Sequence, residues 1–161
     1  MADAVYESFD TREGFQAAVE RLLERPGREL RIFDPDCAAL RLNDAARVAR
    51  LESFLRASRT RRLYMVVHEP QHLQRGCPRM MSLLARYGHA IQINRTHEEI
   101  RELQDAFLVL ESLDYVRRPV AARYRGAIGL GDETEALAMR ARFGEIWSAS
   151  FPAVSSTTVG L

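Results

Sequence analysis

Apolar residues near the beginning of the chain recur at every third or fourth position, which predicts an amphipathic helix. Asp10 and Glu13 have the spacing of a capping box, and Pro26-Gly27 would end this helix. A second helix is predicted to begin at Asn43 or Asp44. The inward-facing positions of the two helices are Phe15, Val19, Leu22, Leu23, Val48, Leu51, Phe54 and Leu55. The positions predicted to face solvent are Arg47, Arg50 and Arg56.

Short continuous apolar runs between the helices predict buried strands. Residues 30–33 form one such run, which ends at Asp34-Pro35-Asp36, where the proline removes a backbone donor. Residues 63–67 are apolar without alternation, as expected of a central parallel strand, and this run ends at His68-Glu69-Pro70. Ile91 and Ile93 predict a third, short strand.

Helix signals return in the second half of the chain. Pro78 is of a type favoured at the first helical position, so a helix is predicted there. Thr96 and Glu99 have the spacing of a capping box for a short helix, and Asp132 with Glu135 predicts the last helix. The buried positions of the last helix are Met139, Phe143, Ile146 and Trp147.

The stretch from Gln104 to Glu111 is predicted to be the centre of the fold. Residues 107–110 are four consecutive large apolar residues, which is typical of a strand covered on both faces. A polar turn at residues 112–114 would return the chain as a hairpin through residues 115–119. A last strand is predicted over residues 123–130.

The elements follow the order αβαβαβ, a hairpin, a strand and a helix, which is typical of an α/β protein. We predict a three-layer α/β fold with a mixed, mostly parallel sheet and helices on both faces. The chain has 161 residues, enough for one core, and residues 1–150 are predicted to form a single domain. Residues 151–161 are rich in serine and threonine and are predicted to be a loosely packed C-terminal tail.

Composition narrows the class of protein. Hydrophobic residues make up 47% and charged residues 28% of the chain, which is typical of a soluble globular protein. No apolar run approaches the roughly 18 residues that cross a bilayer, and residues 1–4 lack the features of a signal peptide. We expect a bacterial cytoplasmic protein with no membrane partner. A net charge of +1 gives no field that would attract nucleic acid, so nucleic acid is not an expected partner.

All 23 basic residues are arginine. The lack of lysine in the sequence excludes a lysine Schiff base and a Walker A loop. Cys37 and Cys77 are far apart and have no further cysteines near them, so we expect reduced thiols and no structural zinc. The glycines that precede the last helix lack the spacing of a dinucleotide-binding loop, and we expect no cofactor.

Two local patterns have both a chemical and a structural interpretation. His68 and His72 could bind a metal together with Glu69, but Pro70 lies between them and disfavours the helical geometry that both rings would need. Cys77 at a helix start could be a nucleophile, although no base partner is evident. We favour surface or loop histidines and a half-buried cysteine.

Polar residues at the predicted strand ends form the candidate ligand-binding site. In open α/β sheets, ligands bind beyond the carboxyl ends of the strands. The residues expected there, in a polar pocket of mixed sign, are Asp34, Asp36, His68, Glu69 and Arg95. Two arginine clusters could bind phosphate through bidentate contacts or be solvated faces balanced by glutamates. They are Arg56, Arg59, Arg61 and Arg62, and Arg117, Arg118, Arg123 and Arg125.

The stretch that begins at Gln104 resembles one half of a phospholipase D-like domain. In that family a central strand carries a His-x-Lys-x-x-x-x-Asp motif, and a Gly-Ser-x-Asn turn opens the following helix. Here Gln104 stands at the histidine, Ala106 at the lysine and Glu111 at the aspartate, and residues 129–132 (Gly-Leu-Gly-Asp) stand at the turn. The resemblance implies the half-domain fold without the imidazole nucleophile and the cation that phosphodiester chemistry needs.

Nearly the whole chain also resembles an uncharacterised proteobacterial domain, itself a degenerate half of this kind, which occurs alone or behind an acetyltransferase-like domain. The matching segments are residues 33–36, 78–80, 93–95, 105–111, 118–119 and 143–147. These segments add Arg79, Asp105 and Arg118 to the candidate ligand-binding residues. The resemblance implies a fold and no activity.

The sequence leaves two main functional hypotheses. The favoured one is a non-catalytic phospholipase D-like module, without catalytic or metal-binding residues, that binds a partner protein, a phosphorylated ligand or its own copy as a homodimer. The alternative is a metal-dependent or His/Asp-dependent hydrolase or transferase that uses Asp34, Asp36 and His68. Nucleic-acid binding through Arg61 and Arg62 is a weaker third option.

Overall fold

Eight strands form one mixed sheet in the computed structural model, which describes residues 4–155. In chain order the strands are β1 (Val5–Phe9), β2 (Glu29–Phe33), β3 (Arg62–Val67), β4 (Ile91–Thr96), β5 (Ala106–Leu110), β6 (Asp114–Arg118), β7 (Gly126–Leu130) and β8 (Ser150–Val154). Across the sheet their order is β1-β7-β6-β5-β2-β3-β4-β8. The predicted central strand is confirmed, because β5 lies between β2 and β6 and is buried along its whole length.

Helices cover both faces of the sheet. In chain order they are α1 (Arg12–Leu23), α2 (Ala45–Arg56), α3 (Gln71–Gly76), α4 (Pro78–Arg86) and α5 (Glu133–Ser148), and 3₁₀ turns occupy Ala38–Leu40 and Glu98–Ile100. The first four helices pack on one face, which we call the four-helix face. On the other, the α5 face, Met139 and Phe143 of α5 pack with Phe33 and Phe107. Across residues 4–155, no helix combines the length and the apolar character needed to cross a membrane.

Burial on both faces explains why the central strands are apolar without alternation. Successive side chains of a strand point to opposite faces. In β3, Leu63, Met65 and Val67 belong to the core of the four-helix face, whereas Val66 belongs to the core of the α5 face. Both kinds of position must therefore be apolar.

The mixed three-layer architecture is confirmed, but the predicted excess of parallel pairings is wrong. Of the seven pairings among the described strands, β2–β3 and β3–β4 are parallel and the other five are antiparallel. Two of the antiparallel pairings follow from the second half of the chain, where short connections join β5 to β6 and β6 to β7. Strands joined in this way run antiparallel, whereas parallel neighbours need a crossover.

Both edges of the sheet are strands that the sequence pattern does not predict. β1 pairs with β7, and β8 pairs with β4. Three of the five positions in β1 are exposed, so it has no buried-strand pattern. β8 contains Pro152, a residue type tolerated at sheet edges. The predicted loose tail is therefore wrong for residues 151–154, and residues 156–161 lie outside the described residues.

Three predicted helix starts are confirmed and two are wrong. α4 begins at Pro78, as predicted. The side chains of Asp44 and Asp132 accept backbone amides at the starts of α2 and α5. Thr11, rather than Asp10, caps α1, because its side chain accepts an amide of the first turn. Thr96 does not cap a helix, since it is the last residue of β4 and fully buried. The short helix α3 is not predicted by the apolar spacing.

Arg47 faces inward, contrary to the solvent-facing position predicted for it. The residue is buried, and its Nε donates to Glu20 at 2.9 Å. One terminal nitrogen donates to the Leu40 carbonyl at 2.6 Å and the other to the Gln16 amide oxygen at 2.7 Å. The planar guanidinium bonds to three partners at once and so joins α1 to α2 and to the turn before α2.

Candidate functional site

The polar residues predicted at strand ends lie at one edge of the sheet. Asp34 follows β2 and His68 follows β3, and both strands end at this edge because they are parallel. β5 begins at the same edge after Asp105, and β6 ends there at Arg118, since each runs antiparallel to its neighbour. We call this row of strand ends the C-terminal edge; it is distinct from the edge strands β1 and β8.

Asp34 and Arg118 form a buried ion pair at the C-terminal edge. Arg118 Nη2 lies 2.5 Å from Asp34 Oδ2, and the two side chains are 3% and 4% exposed respectively. The other carboxylate oxygen accepts two backbone amides of the following loop, at 3.2 and 2.8 Å. Arg118 also donates to the Ala121 carbonyl, and its guanidinium carbon lies 4.5 Å from the centre of the Phe15 ring. Both charged groups are thus engaged within the chain.

The electrostatics of Asp34 reflect this burial. Burial raises the pKa of Asp34 above its ordinary value, while the Arg118 guanidinium and the two amides act in the opposite direction. The ionised carboxylate therefore depends on its partners, because without them it would be a buried and uncompensated charge.

His68 is also buried, and its ring packs edge-on against Phe33, with ring centres 5.4 Å apart. Nε2 lies 2.6 Å from the Leu103 carbonyl, which can only accept, so we assign the proton to Nε2. Nδ1 then accepts the hydroxyl of Thr96 at 2.7 Å. Both ring nitrogens are satisfied, and the ring ties the end of β3 to Thr96 of β4. His72 is exposed on α3, so the two histidines do not share one buried site.

The sheet divides the predicted polar pocket. Arg118, paired with Asp34, packs over Phe15 of the four-helix face, whereas His68 packs against Phe33 of the α5 face. Consecutive positions along a strand point to opposite faces, so residues that are neighbours along an edge can be separated by the sheet. The expected single pocket that contains both Asp34 and His68 is therefore wrong.

Asp105 belongs to a second ion pair at the C-terminal edge. Its carboxylate accepts two hydrogen bonds from Arg142 of α5, at 2.7 and 3.3 Å. The two residues line a cleft of about 370 Å³ together with Arg117 and Met139. Their side chains are 27% and 40% exposed, so this pair is far more solvated than the Asp34–Arg118 pair.

The remaining candidate residues are dispersed. Arg79 begins α4 with Pro78 and bonds to Asn43 through its backbone amide and its guanidinium, each at 3.0 Å. Arg95 lies in β4, and within residues 4–155 its buried Nε has no hydrogen-bond partner. Asp36 accepts the amide of Ala38 at 2.9 Å, and Glu69 is exposed. No described contact joins Arg79 or Arg95 to the Asp34–Arg118 pair.

A cleft of about 320 Å³ opens beside the Asp34–Arg118 pair. Gln104, which stands at the position of the motif histidine, lines this cleft, and its amide donates to the Arg101 carbonyl at 3.1 Å. Asp36 and Arg123 also line it. The described lining contains neither histidine nor cysteine, so the cleft offers charge but no strong nucleophile.

The segments that the resemblance aligned with catalytic motifs lie at opposite edges of the sheet. Gln104 precedes β5 at the C-terminal edge. Glu111 follows β5 at the other edge, where its carboxylate accepts the amides of Arg28 and Glu29 at 2.6 and 3.1 Å. Residues 129–132 also lie at that other edge, since β7 runs antiparallel to β6. The Gly-Leu-Gly-Asp turn therefore cannot complete a site with Gln104.

The two cysteines are buried free thiols. Burial raises the pKa of both Cys37 and Cys77, and for Cys37 the neighbouring Asp34 carboxylate raises it further. A raised thiol pKa keeps the sulfur protonated, so neither cysteine has the properties of a nucleophile. Within the described part of the chain, no three His, Cys, Asp or Glu side chains converge in a group that could hold a metal ion.

A larger cleft of about 830 Å³ lies where β1, β7 and the end of β6 meet. Arg117, Arg123 and Arg125 line it with Tyr6 and Ser8. The arginines were recognisable in the sequence as a basic cluster. The contributions of Tyr6 and Ser8 were not, because both residues lie on β1, an edge strand without a buried pattern. We call this the basic cleft.

Solved structures of phospholipase D-family proteins share this fold. Nuc from Salmonella typhimurium, a phospholipase D family member, is 13% identical with a TM-score of 0.67, and the match covers 95% of this chain and 100% of Nuc. NucT from Helicobacter pylori is 9% identical with a TM-score of 0.65, over 94% of this chain and 100% of NucT. At these identities the likeness shows the fold alone, which is phospholipase D-like.

A third match is TrmBL2, an archaeal chromatin protein with a novel mode of DNA binding. It is 14% identical with a TM-score of 0.61, over 92% of this chain and 54% of TrmBL2, so this chain spans about half the length of that protein. No curated protein matches the sequence. A family model described as "Domain of unknown function (DUF7931)" matches residues 11–156. The chain therefore belongs to the DUF7931 family of domains of unknown function, and its fold is phospholipase D-like.

Proposed function

We propose that this chain is a non-catalytic phospholipase D-like module that acts by binding. The observation that carries the proposal is that the candidate reactive groups at the C-terminal edge are already engaged within the chain. His68 uses both ring nitrogens, and the Asp34 carboxylate is neutralised by Arg118. A catalytic base or nucleophile needs a lone pair directed at the substrate, and His68 has none free.

The residues at the motif positions support this proposal. Gln104 supplies an amide, which is not a nucleophile, and Ala106 is a buried residue of β5 without charge. The cross-strand neighbour of Ala106 is Arg118, so a cation does lie beside the lysine position. That cation pairs with Asp34 and is almost fully buried, which leaves it little capacity to bind a phosphate.

A hydrolysis screen tests the proposal. The purified chain is incubated with a phosphomonoester and a phosphodiester of nitrophenol, with Mg²⁺, Mn²⁺ or Zn²⁺ or with a chelator. We expect no product above the rate in buffer. The alternative is a hydrolase or transferase that uses Asp34, Asp36 and His68. It predicts turnover, or metal-dependent thermal stabilisation, that Asp34→Asn abolishes. Glu133→Gln, at an exposed carboxylate at the start of α5, is the matched control. Turnover lost in Asp34→Asn and kept in Glu133→Gln would overturn the proposal.

A binding role needs a free surface, and the α5 face offers one. The described core of this face has members from β2, β3, β5 and β6 but none from β1 or β7. Tyr6 on β1 and Val120 after β6 are 59% and 48% exposed. This surface could receive a second copy, a partner protein such as an acetyltransferase-like domain, or a phosphorylated ligand.

Self-association is tested by multi-angle light scattering. A homodimer would double the mass of 18.3 kDa at high micromolar concentration, and Tyr6→Glu should restore the monomer if this surface is the interface. A strict monomer at that concentration would remove the homodimer from the proposal and leave the other two occupants. A single domain over residues 1–150 and a bacterial cytoplasmic location stay predictions.

A further inference from the structure

A cross-strand row of residues forms the floor of the basic cleft. Ser8 on β1 pairs with Ala127 on β7, which pairs with Arg117 on β6. The row continues to Phe107 and Phe33, which lie in the core that α5 covers. α5 packs over the Phe107 and Phe33 part of the row, whereas Ser8 and Ala127 line the basic cleft.

Three arginines surround this floor with little compensating charge. Arg123 and Arg125 lie in the connection between β6 and β7, are exposed, and have no side-chain hydrogen bond or ion pair within residues 4–155. Arg117 lies 3.7 Å from Glu135, and both side chains are more than 40% exposed, so this contact is weak. The described lining contains one acidic residue, Asp10. The cleft is therefore positively charged.

Tyr6 supplies an aromatic wall. Its ring is 59% exposed, and it lies on the same side of β1 as Ser8, two residues further along. Its partner on β7 is Gly129, which has no side chain to cover the ring. An exposed aromatic face beside guanidinium groups can stack on a flat heterocycle while the arginines reach its phosphates.

The geometry points to the basic cleft as a binding site for a nucleoside di- or triphosphate, an inference that rests on the non-catalytic binding function proposed above. Arg117, Arg123 and Arg125 bind the phosphates through charge-assisted hydrogen bonds, and Tyr6 stacks on the base. A volume of about 830 Å³ is sufficient, since small-molecule sites have about 300–1,000 Å³. The site adjoins the cleft beside Gln104 and shares Arg123 with it, but neither Gln104 nor Asp34 lines the basic cleft.

Isothermal titration calorimetry at low salt, with a chelator present, distinguishes the contribution of the phosphates to binding from that of the base. ATP should bind more tightly than inorganic tripolyphosphate, and adenosine should not bind measurably. Arg123→Gln with Arg125→Gln should weaken ATP and tripolyphosphate by about tenfold or more, because two phosphate contacts are lost. Tyr6→Ala should weaken ATP alone, by about tenfold, because only the base loses its stacking partner.

The matched control is Arg28→Gln with Arg75→Gln, which removes the same charge from exposed positions outside the cleft lining. Equal weakening in this control would overturn the inference, as would no ATP binding at millimolar concentration. Binding of a single-stranded oligonucleotide without binding of ATP would overturn it too. Those failures would leave the non-catalytic function standing, whereas ATP hydrolysis that Asp34→Asn abolishes would overturn that function instead.

Discussion

Replacing Asp34 with asparagine would remove one charge from the buried pair and keep most of its other contacts. The asparagine oxygen can still accept the two loop amides that Asp34 accepts at 3.2 and 2.8 Å. Its amide nitrogen, however, would occupy the position of the oxygen that lies 2.5 Å from Arg118 Nη2. Two donors would then face each other, and Arg118 would be a buried charge without a counterion.

The contacts that Arg118 keeps set the size of the expected loss in the free energy of unfolding. Breaking a buried ion pair by removing one partner costs about 3–5 kcal/mol. Arg118 would keep its bond to the Ala121 carbonyl and its position over the Phe15 ring, so we expect the lower end of this range, about 3 kcal/mol. For a chain of 161 residues this corresponds to a fall in Tm of roughly 6–12 °C.

Urea denaturation followed by fluorescence of the one tryptophan measures this loss. The assay includes Asp34→Asn, Arg118→Met and the double variant. We expect the double variant to be less destabilised than the sum of the single variants by about 2 kcal/mol, because each single variant leaves a lone buried charge and the double variant leaves none. Asp36→Asn, at an exposed position, is the control and should change stability by less than about 0.5 kcal/mol. Additive losses, or a wild-type stability for Asp34→Asn, would refute the ion-pair reasoning.

Three further predictions concern protonation and packing. Arg118→Met removes the group that lowers the pKa of Asp34, so the folded-state pKa rises further above the unfolded value. Asp34 therefore binds its proton more strongly in the folded variant, and the loss of stability relative to the wild type should be smaller near pH 3.8 than at neutral pH. A loss of stability that does not change with pH would contradict this. Burial and the bond to Asp132 raise the pKa of Tyr115 to about 12, so an absorbance titration should show a tyrosine transition near pH 12 that is missing in Tyr115→Phe. The raised pKa also means that the stability contributed by Tyr115 is present below pH 10 and is lost as the pH rises towards 12. Gly129→Ala would place a Cβ 2.3 Å from the Tyr115 ring and should cost about 1–3 kcal/mol in urea denaturation, but less in a Tyr115→Leu background. Equal costs in both backgrounds would show that the ring is not the cause.

The sequence predicted the central strands and two helix caps because these signals are local. A continuous apolar run of five residues at 63–67 is sufficient to indicate a strand covered on both faces, and β3 occupies residues 62–67. Asp44 and Asp132 cap helices through amides within three residues of themselves. Such signals need no knowledge of the rest of the chain.

The edge strands and the burial of Arg47 could not be predicted in this way. β1 and β8 are strands because β7 and β4 present free edges to them, and their own side chains are largely exposed. Arg47 is buried because packing brings Glu20, Gln16 and Leu40 around it, whereas a single charged position in an amphipathic helix indicates solvent.

For the candidate site, the sequence alone determined that Asp34 and His68 follow strands and that Gln104 and Ala106 stand where the phospholipase D motif has histidine and lysine. The tertiary structure decided what these positions do. Asp34 is neutralised by Arg118, which is 84 residues away in the chain, and His68 is held by Thr96 and Leu103 on the other face of the sheet. The physical reason is that a side chain's reactivity depends on burial and on its hydrogen-bond partners, and strands distant in sequence supply both.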